Sequence, residues 1–479
     1  MNRKILSDGL FLSAGSFLIK IKGIVLVPIL ISTIGLGDYG AYTQLMINIG
    51  LIAPLCQLGL GQIFYRFTSK YENHENHEYS RDYWFVMIIV MVFSLVGVCF
   101  VYLSSGLFSN VILDGYSIIV IELSSLFIIS SNFYSINNTF LQARKKIKFY
   151  VSFNIVYEIT PYLFFVLSMV IYKELFIALL YFLCSQVILN LVLFTYILKK
   201  YKIKLVKPMW ENSRIYFKYS LPLTISSISG GLLRKADTYF IGFFIGKEAI
   251  GVYNLIYTIV SFIDQISSPF IKYFQIYFPK EWDDGSQEQV ITKLKTGLLY
   301  YLVISIGFLM GLTCFIQPLI YYVLDKDISY LAELQSLIII IGLGVIAYGV
   351  SRIYYQLFNY RKKTHHQLYI QLFGLVINLT SNFYFIPLYG LLGAAWTTFI
   401  SYFSIIIMCS IFSSLRLDRY FYYKFVFIVL SGGLVTISFF NSSSKDVFNF
   451  ILDMLFAGIL YCLFMMAFKI VDLSKLNKV

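Results

Sequence analysis

The chain has 479 residues, of which 58% are hydrophobic and only 13% are charged, and its mean hydropathy is +0.75. A soluble domain is about 45–50% apolar and about 25% charged, so this composition excludes a water-soluble enzyme, a nucleic-acid-binding module and a secreted disulfide scaffold. The net charge of +13 needs no nucleic-acid partner, because membrane proteins carry an excess of Lys and Arg on their cytoplasmic side. We therefore expect an all-α integral membrane protein.

Apolar runs long enough to cross a bilayer, about 20 residues each, occur fourteen times. The predicted spans are 10–34, 41–63, 83–104, 111–134, 149–171, 175–198, 219–245, 250–272, 296–323, 331–357, 366–388, 391–413, 421–440 and 447–468. The first run lacks a small-residue cleavage site, which favours a retained helix over a signal peptide. The six cysteines all lie in apolar runs without a CxxC pair, so we expect neither a disulfide nor a metal site.

The distribution of basic residues predicts the topology. With the N-terminus inside, 29 of the 38 Lys and Arg residues fall in inner segments and only four in outer loops. This strict alternation predicts an even number of spans with both termini in the cytoplasm. The outer loops are all short, which disfavours a membrane enzyme that needs an outer domain to act on an exported glycan.

Two parts of the chain resemble each other. Residues 34–42 (IGLGDYGAY) match 245–253 (IGKEAIGVY), and the Arg-Lys-Lys run at 144–146 matches the run at 361–363. The landmarks occur in the same order at offsets of 211 to 217, which predicts two pseudo-symmetric six-helix lobes related by a parallel repeat. We assign 1–198 to the N-terminal lobe, 199–218 to a basic cytoplasmic linker, 219–415 to the C-terminal lobe, and 416–479 to two further helices and a cytoplasmic tail.

Cations occur at similar depths in the first span of each lobe. Lys20 and Lys22 lie near the middle of the first span, and Arg234 and Lys235 near the middle of the seventh. A charge at mid-bilayer costs about 2.5–3.5 kcal/mol on insertion scales, so such residues normally face a bundle interior or a wet cavity. These four cations are the candidate anion-binding residues, although a purely neutralising role is a close alternative. Lys20 and Lys22 are two residues apart, so only one of them faces a cleft squarely.

Acidic residues and prolines within the spans form a second set of candidates. Asp264 lies in the middle of the eighth span and is expected either to couple an ion or to pair a cation. Asp237 is three residues after Arg234 and can pair with it, and Glu158 precedes a proline kink. Arg352 and Glu333 are interpreted as interfacial residues. The candidate hinges are Pro28, Pro54, Pro222 and Pro269.

These features resemble the MOP superfamily of flippases. The resemblance rests on the fourteen spans, the turn at residues 37–42, Leu221-Pro222 at the start of the seventh span, Asp237 before Ile241-Gly242, and the run at 142–146. It extends over about residues 5–415, and the closest branch is the polysaccharide transporters of the O-antigen or teichoic-acid type.

The resemblance implies a transporter, not an enzyme, that moves undecaprenyl-diphosphate-linked oligosaccharides across the bacterial cytoplasmic membrane by alternating access. The implied diphosphate ligands are Lys20, Lys22, Arg234 and Lys235, with Asp237, Asp264 and Glu158 as electrostatic partners. No resident cofactor is expected, although H⁺ or Na⁺ coupling fits, and the implied partners are membrane lipids and other polysaccharide assembly proteins. The alternatives are a lipid II-type flippase, a cation-coupled multidrug exporter and, in another class, a membrane glycosyltransferase or polymerase.

Overall fold

The structure is a computed structural model that describes residues 3–61, 63–64, 78–144, 147–208, 210–319, 331–361, 363, 365–413, 419–440, 456, 458–461 and 463–465. Within these residues the chain is helical. The helices are α1 Arg3–Gln57, α2 Glu78–Ile112, α3 Ile118–Ala143, α4 Ile147–Tyr172, α5 Leu175–Lys200, a 3₁₀ turn Trp210–Asn212, α6 Ser213–Phe244, α7 Lys247–Val260, α8 Phe262–Asp283, α9 Gln287–Leu319, α10 Leu331–Tyr360, α11 His365–Ser413 and α12 Arg419–Phe440.

The predicted all-α membrane fold is confirmed. In the described part of the chain, eight helices are long and apolar enough to cross a membrane. Two long helices each contain two predicted spans, because α1 is interrupted at Gly35 and α11 at Gly390. Both glycines have positive φ, 79° and 59°, a conformation that glycine adopts without the Cβ clash of other residues. The fourteenth predicted span lies mostly outside the described residues, and its described positions are helical.

The eighth predicted span, 250–272, differs from the structure because it is divided between α7 and α8. The interruption falls at Ser261, whose hydroxyl donates a hydrogen bond to the carbonyl of Thr258. The consequence for the site is that Asp264 lies in the first turn of α8 rather than in the middle of an uninterrupted helix.

The described chain forms two compact units, Met1–Asn254 and Leu255–Val479. In the first unit, α1 packs against α2, α3, α4 and α6. Side-chain amides on α3 connect these helices: Gln57 Nε2 donates to Asn132 Oδ1 at 2.8 Å, and Asn132 Nδ2 donates to Ser94 Oγ at 2.7 Å. Such hydrogen bonds hold helices together where burial from water supplies no driving force. The lobe boundary at 199–218 is a division by sequence repeat and stays a prediction.

The basic linker is docked onto the start of α2. Trp84 Nε1 donates to the carbonyl of Lys204 at 2.9 Å, and Tyr79 donates from its hydroxyl to the carbonyl of Tyr201 at 2.7 Å. At the end of the linker, Tyr216 donates to the buried carboxylate of Asp82 at 2.7 Å. The linker thereby fixes the start of α6 relative to α2.

In the second unit, α10 packs against α8, α9 and α11, and α9 also packs against α12. In the apolar core of the span Leu334–Tyr360, 78% of the residues are buried, the largest share among the eight membrane-length helices, which makes α10 the central helix of this unit. The two halves of α11 share a buried hydrogen-bonded set in which Asn382 donates to Asn378, and Thr397 donates to Asn382. This pairing holds the hairpin closed around Gly390.

Candidate functional site

The two glycine turns that identify the sequence repeat lie against each other in the first unit. A Cβ added to Gly40 would lie 1.9 Å from the carbonyl oxygen of Lys247, and one added to Gly251 would lie 2.4 Å from the carbonyl oxygen of Leu36. The contact is reciprocal, because Leu36 and Lys247 are themselves equivalent positions in the repeat. Reciprocal contact between equivalent patches is the signature of a two-fold interface. Only glycine allows the two backbones to approach this closely.

Polar side chains extend this contact along the helices. Asn254 Nδ2 donates to Thr43 Oγ1 at 3.3 Å, and these two residues are again separated by the repeat offset of 211. Further along α1, the hydroxyl of Tyr239 donates to Asn48 Oδ1 at 2.5 Å. The charge pattern assigns the glycine turns to the outer ends of the helices. The two repeats are therefore in contact at their predicted outer side.

The turn before α7 is fixed by a side chain from the loop after α2. Asp114 Oδ2 accepts a hydrogen bond from the backbone N–H of Lys247 at 2.8 Å. This carboxylate also lies where a Cβ of Gly246 would project, 2.7 Å away. Gly246 has φ 121°, so glycine is required at this position both for the backbone and for Asp114. Asp114 thus anchors the second glycine turn to the first lobe.

The predicted cations are only partly described. Lys20 and Lys22 belong to helix α1, and their side chains lie outside the described residues. On α6, the Arg234 side chain is exposed and Lys235 is half-buried. Convergence of cations from both repeats consequently stays a prediction, while α6 does present Arg234 at its surface inside a predicted span.

The predicted acidic partners have different surroundings. Asp237 is buried, with 1% of the residue exposed, and its Oδ2 accepts a hydrogen bond from the hydroxyl of Tyr253 at 2.9 Å. This bond connects α6 to the turn of the second repeat. Glu158 is half-buried near the middle of α4.

The structure pairs Asp264 with a residue that the sequence interpretation placed at the membrane interface. Arg352 Nη1 donates to Asp264 Oδ1 at 2.5 Å and to Ser267 Oγ at 3.3 Å. Arg352 lies eight residues before the end of α10, about 12 Å along the helix axis at 1.5 Å per residue. Hydropathy gave no sign of this pairing, because α8 and α10 are distant in sequence.

The four hinge prolines all lie within helices. Pro28 and Pro54 are inside α1, while Pro222 and Pro269 belong to α6 and α8. The non-helical backbone in α1 is at Gly35. A hinge role for the prolines stays a prediction.

The sequence matches known families over most of its length. Residues 5–274 match the family described as polysaccharide biosynthesis protein, and residues 222–384 match the MatE family. No curated protein matches the chain in sequence.

Solved structures of similar fold include membrane transporters. The structure titled lipid II flippase MurJ, inward closed conformation, has a TM-score of 0.75 and 15% identity, covering 96% of this chain and 98% of that chain. A complex of the MATE multidrug transporter DinF-BH has a TM-score of 0.61 and 15% identity, covering 88% and 97%. An inward-facing MATE family transporter of the MOP superfamily has a TM-score of 0.55 and 14% identity, covering 90% and 96%. These likenesses establish the fold.

Proposed function

The chain belongs to the polysaccharide biosynthesis protein family, within the MOP superfamily of flippases and transporters, and we propose that it translocates a lipid-linked oligosaccharide by alternating access. The proposed substrate is an undecaprenyl-diphosphate-linked repeat unit of O-antigen or of a related surface polysaccharide. The proposed site is the bacterial cytoplasmic membrane, with both termini in the cytoplasm. The observation that carries the proposal is the reciprocal contact of the two repeats at Gly40 and Gly251.

This contact supports alternating access for a geometric reason. Two repeats that meet through equivalent residues at one end of their helices can separate there and approach each other at the opposite end. Transporters built from parallel repeats use such rocking around a site near the bilayer midplane. At Gly40 and Gly251 the contact is between backbones, and separation there would also break the side-chain hydrogen bonds beside it, such as that of Asn254 to Thr43.

Cations are needed at the midplane because the cargo carries a diphosphate. A charged group at the bilayer centre is costly, and a matching cation offsets that cost. We propose that Lys20, Lys22, Arg234 and Lys235 supply this charge. A guanidinium presents a planar fork that binds phosphate oxygens in pairs, which favours Arg234 as the strongest single ligand.

Coupling to a gradient of H⁺ or Na⁺ is part of the proposal, with carboxylates in α4, α6 and α8 as candidates.

A lipid II-type flippase is the second candidate function, favoured by the TM-score of 0.75 to MurJ. The two candidates share architecture and a polyprenyl diphosphate cargo and differ in the attached sugars.

The test is deletion of the protein, followed by mass analysis of lipid-linked oligosaccharides on the inner leaflet. Accumulation of a polymer repeat unit supports the first candidate, and accumulation of the cell-wall precursor supports the second. Absence of any accumulated polyprenyl-linked glycan contradicts both.

Complementation of the deletion then tests the cation site. Arg234→Ala is expected to reduce surface glycan export by at least about tenfold, which corresponds to ~1.4 kcal/mol, at normal protein levels. Arg214→Ala is the matched control, because Arg214 is an exposed arginine in the first turn of the same helix α6. Normal export by the Arg234 variant removes this residue from the site.

A further inference from the structure

Helix α10 is buried along its inner half except at a few positions. From residue 341 to 360, the side chains that are not buried are those of Leu343, Arg352 and Asn359. Arg352 and Asn359 are seven residues apart, two helical turns, and so lie on the same face. The Arg352 side chain is 28% exposed. A charged residue that remains accessible within a membrane-spanning segment indicates a water-filled opening on that side.

The start of α8 presents a polar face to the same region. Ser261, Asp264, Gln265 and Ser268 are all half-buried, and they recur at intervals of three and four residues. Residues at this spacing occupy one side of a helix. A helix face in contact with lipid would be apolar, so this face lines an aqueous space. Because α8 packs against α10, the polar face and Arg352 belong to one opening in the second unit.

The contact between Arg352 and Asp264 uses only part of the guanidinium. Nη1 donates both to Asp264 Oδ1 and to Ser267 Oγ. A guanidinium has five N–H donors in a planar fork. Among the described residues, the side-chain acceptors of Arg352 are these two, and both are bonded through Nη1.

We propose that Arg352 binds a phosphate group of the lipid-linked diphosphate, and that Asp264 occupies Arg352 while the substrate is absent. The proposal deepens the flippase function and rests on it. A diphosphate engages two guanidinium donors at once and forms charge-assisted hydrogen bonds. It therefore displaces a carboxylate that is held through a single donor nitrogen.

The placement of Asp264 suits an exchangeable partner. Its position in the first turn of α8 stabilises the negative charge by the helix dipole after Arg352 is taken by the substrate. Between transport cycles the carboxylate keeps Arg352 from being left as an uncompensated charge in the span, which is the costly state. Asp264 thus favours release of the diphosphate from Arg352, because it competes for the same cation.

The experiment measures lipid binding to the purified full-length protein in nanodiscs by native mass spectrometry. The probes are undecaprenyl diphosphate and undecaprenyl phosphate, without sugars. Arg352→Gln is expected to weaken diphosphate binding by about tenfold or more, since charge-assisted hydrogen bonds are the strong class. Arg352→Lys keeps the charge and loses the fork, so an intermediate loss is expected. Arg214→Gln, a change of one exposed arginine outside the opening, is the matched control.

Asp264→Asn tests whether Asp264 competes with the diphosphate for Arg352 or only positions Arg352, because the two roles change the affinity for the diphosphate in opposite directions. Removal of a competing anion is expected to tighten diphosphate binding by severalfold while slowing transport. If Asp264→Asn does not purify, Ser267→Ala serves instead: it removes one acceptor from the guanidinium, and a gain of about twofold is expected from one hydrogen bond. Loss of affinity in both Asp264→Asn and Ser267→Ala would show that the pair only positions Arg352, and would overturn the exchange.

The outcomes separate this inference from the function on which it rests. Binding of undecaprenyl diphosphate by the unmodified protein, with equal binding by Arg352→Gln, overturns the role of Arg352 and leaves the flippase proposal standing. Failure of the unmodified protein to bind either polyprenyl probe contradicts the flippase proposal itself.

Discussion

The outer turns of the two copies place residues with positive φ at equivalent positions, although the residue types can differ. Gly35 and Gly246 are equivalent positions, and both have positive φ, 79° and 121°. Lys173 and Gly390, which are separated by the offset of 217, also share positive φ, 53° and 59°. A lysine at positive φ costs about 1–2 kcal/mol that glycine avoids, and the ψ of −136° at Gly390 places that residue in a region that favours glycine. The two copies thus share the positions of their turns without requiring identical residues there.

The predicted inner ends of equivalent helices in the two copies also have different side-chain partners. The first arginine of each Arg-Lys-Lys run is engaged with aromatic rings, but in a different cage. Arg144 lies over the rings of Tyr79, Phe140 and Tyr201, at 5.0, 5.3 and 5.9 Å from their centres. Arg361 lies 5.9 Å from the ring centre of Trp282 and donates to the carbonyl of Ser413 at 2.6 Å. The run that reads as a cytoplasmic charge signal therefore begins with a packed structural residue in both copies.

Glycine is needed at the positions where the two copies meet each other. Gly40 and Gly251 face backbone atoms within 3 Å of an added Cβ, whereas Gly50 in the same helix α1 has open space around it. The comparison predicts that an atom added at Gly40 or Gly251 disturbs the contact between the copies, whereas an atom added at Gly50 does not.

The largest expected effect comes from locking the contact. Thr43→Cys combined with Asn254→Cys, in a chain without its six native cysteines, places thiols where the native side chains approach to 3.3 Å. Oxidation is expected to bridge them and to arrest transport, and reduction is expected to restore it. The measurement is flipping of a lipid-linked glycan by the reconstituted protein with and without reductant. Full transport with the bridge intact would show that the two turns need not separate.

Added bulk at the glycines should act in the opposite direction. Gly40→Ala and Gly251→Ala force the backbones apart, so the outer ends are expected to stay open and transport to fall by about tenfold, as expected for overpacking of a close contact by ~1–3 kcal/mol. A polar thiol reagent should then label Thr43→Cys faster. Gly50→Ala is the matched control. Equal transport by the Gly40→Ala and Gly50→Ala variants would contradict the idea that the outer ends of the two copies must close against each other during transport.

A smaller effect is expected at the inner arginines. Arg144→Gln removes contacts with three rings, and Arg361→Gln removes a contact with one. Cation–π contacts contribute about 0.5–2 kcal/mol depending on burial, so thermal unfolding in detergent should show the larger loss of stability for Arg144→Gln. A larger loss for Arg361→Gln would mean that the hydrogen bond to Ser413 outweighs the rings.

The smallest expected effect is at the paired turns between the fifth and sixth spans of each copy. Lys173→Gly should raise the free energy of unfolding by up to about 1 kcal/mol, because positive φ disfavours a side chain. Gly390→Ala should lower it by about 1 kcal/mol or more, because the ψ of −136° at Gly390 also favours glycine. Unfolding midpoints in denaturant measure both. A change of the same sign in the two variants would contradict the equivalence of the turns.

Much of the fold could be predicted because periodic hydropathy and charge act locally. Gly35 and Gly390 fall between predicted spans, where a glycine in an apolar run indicates a turn. The interruption at Ser261 could not be predicted, since serine is tolerated in helices and Ser351, for example, lies inside a continuous one. The same holds for the Asp264–Arg352 pair, which joins segments that hydropathy treats as unrelated.

The sequence by itself indicated that this protein spans a membrane and that it contains two copies of one unit. It also predicts the orientation of each membrane-spanning segment. Hydrophobicity and charge set these properties residue by residue, because the bilayer acts on each segment separately. Only the tertiary structure decided that Gly40 meets Gly251 and that Asp264 meets Arg352. These partners lie far apart along the chain, and their approach depends on how helices pack, which no local pattern encodes.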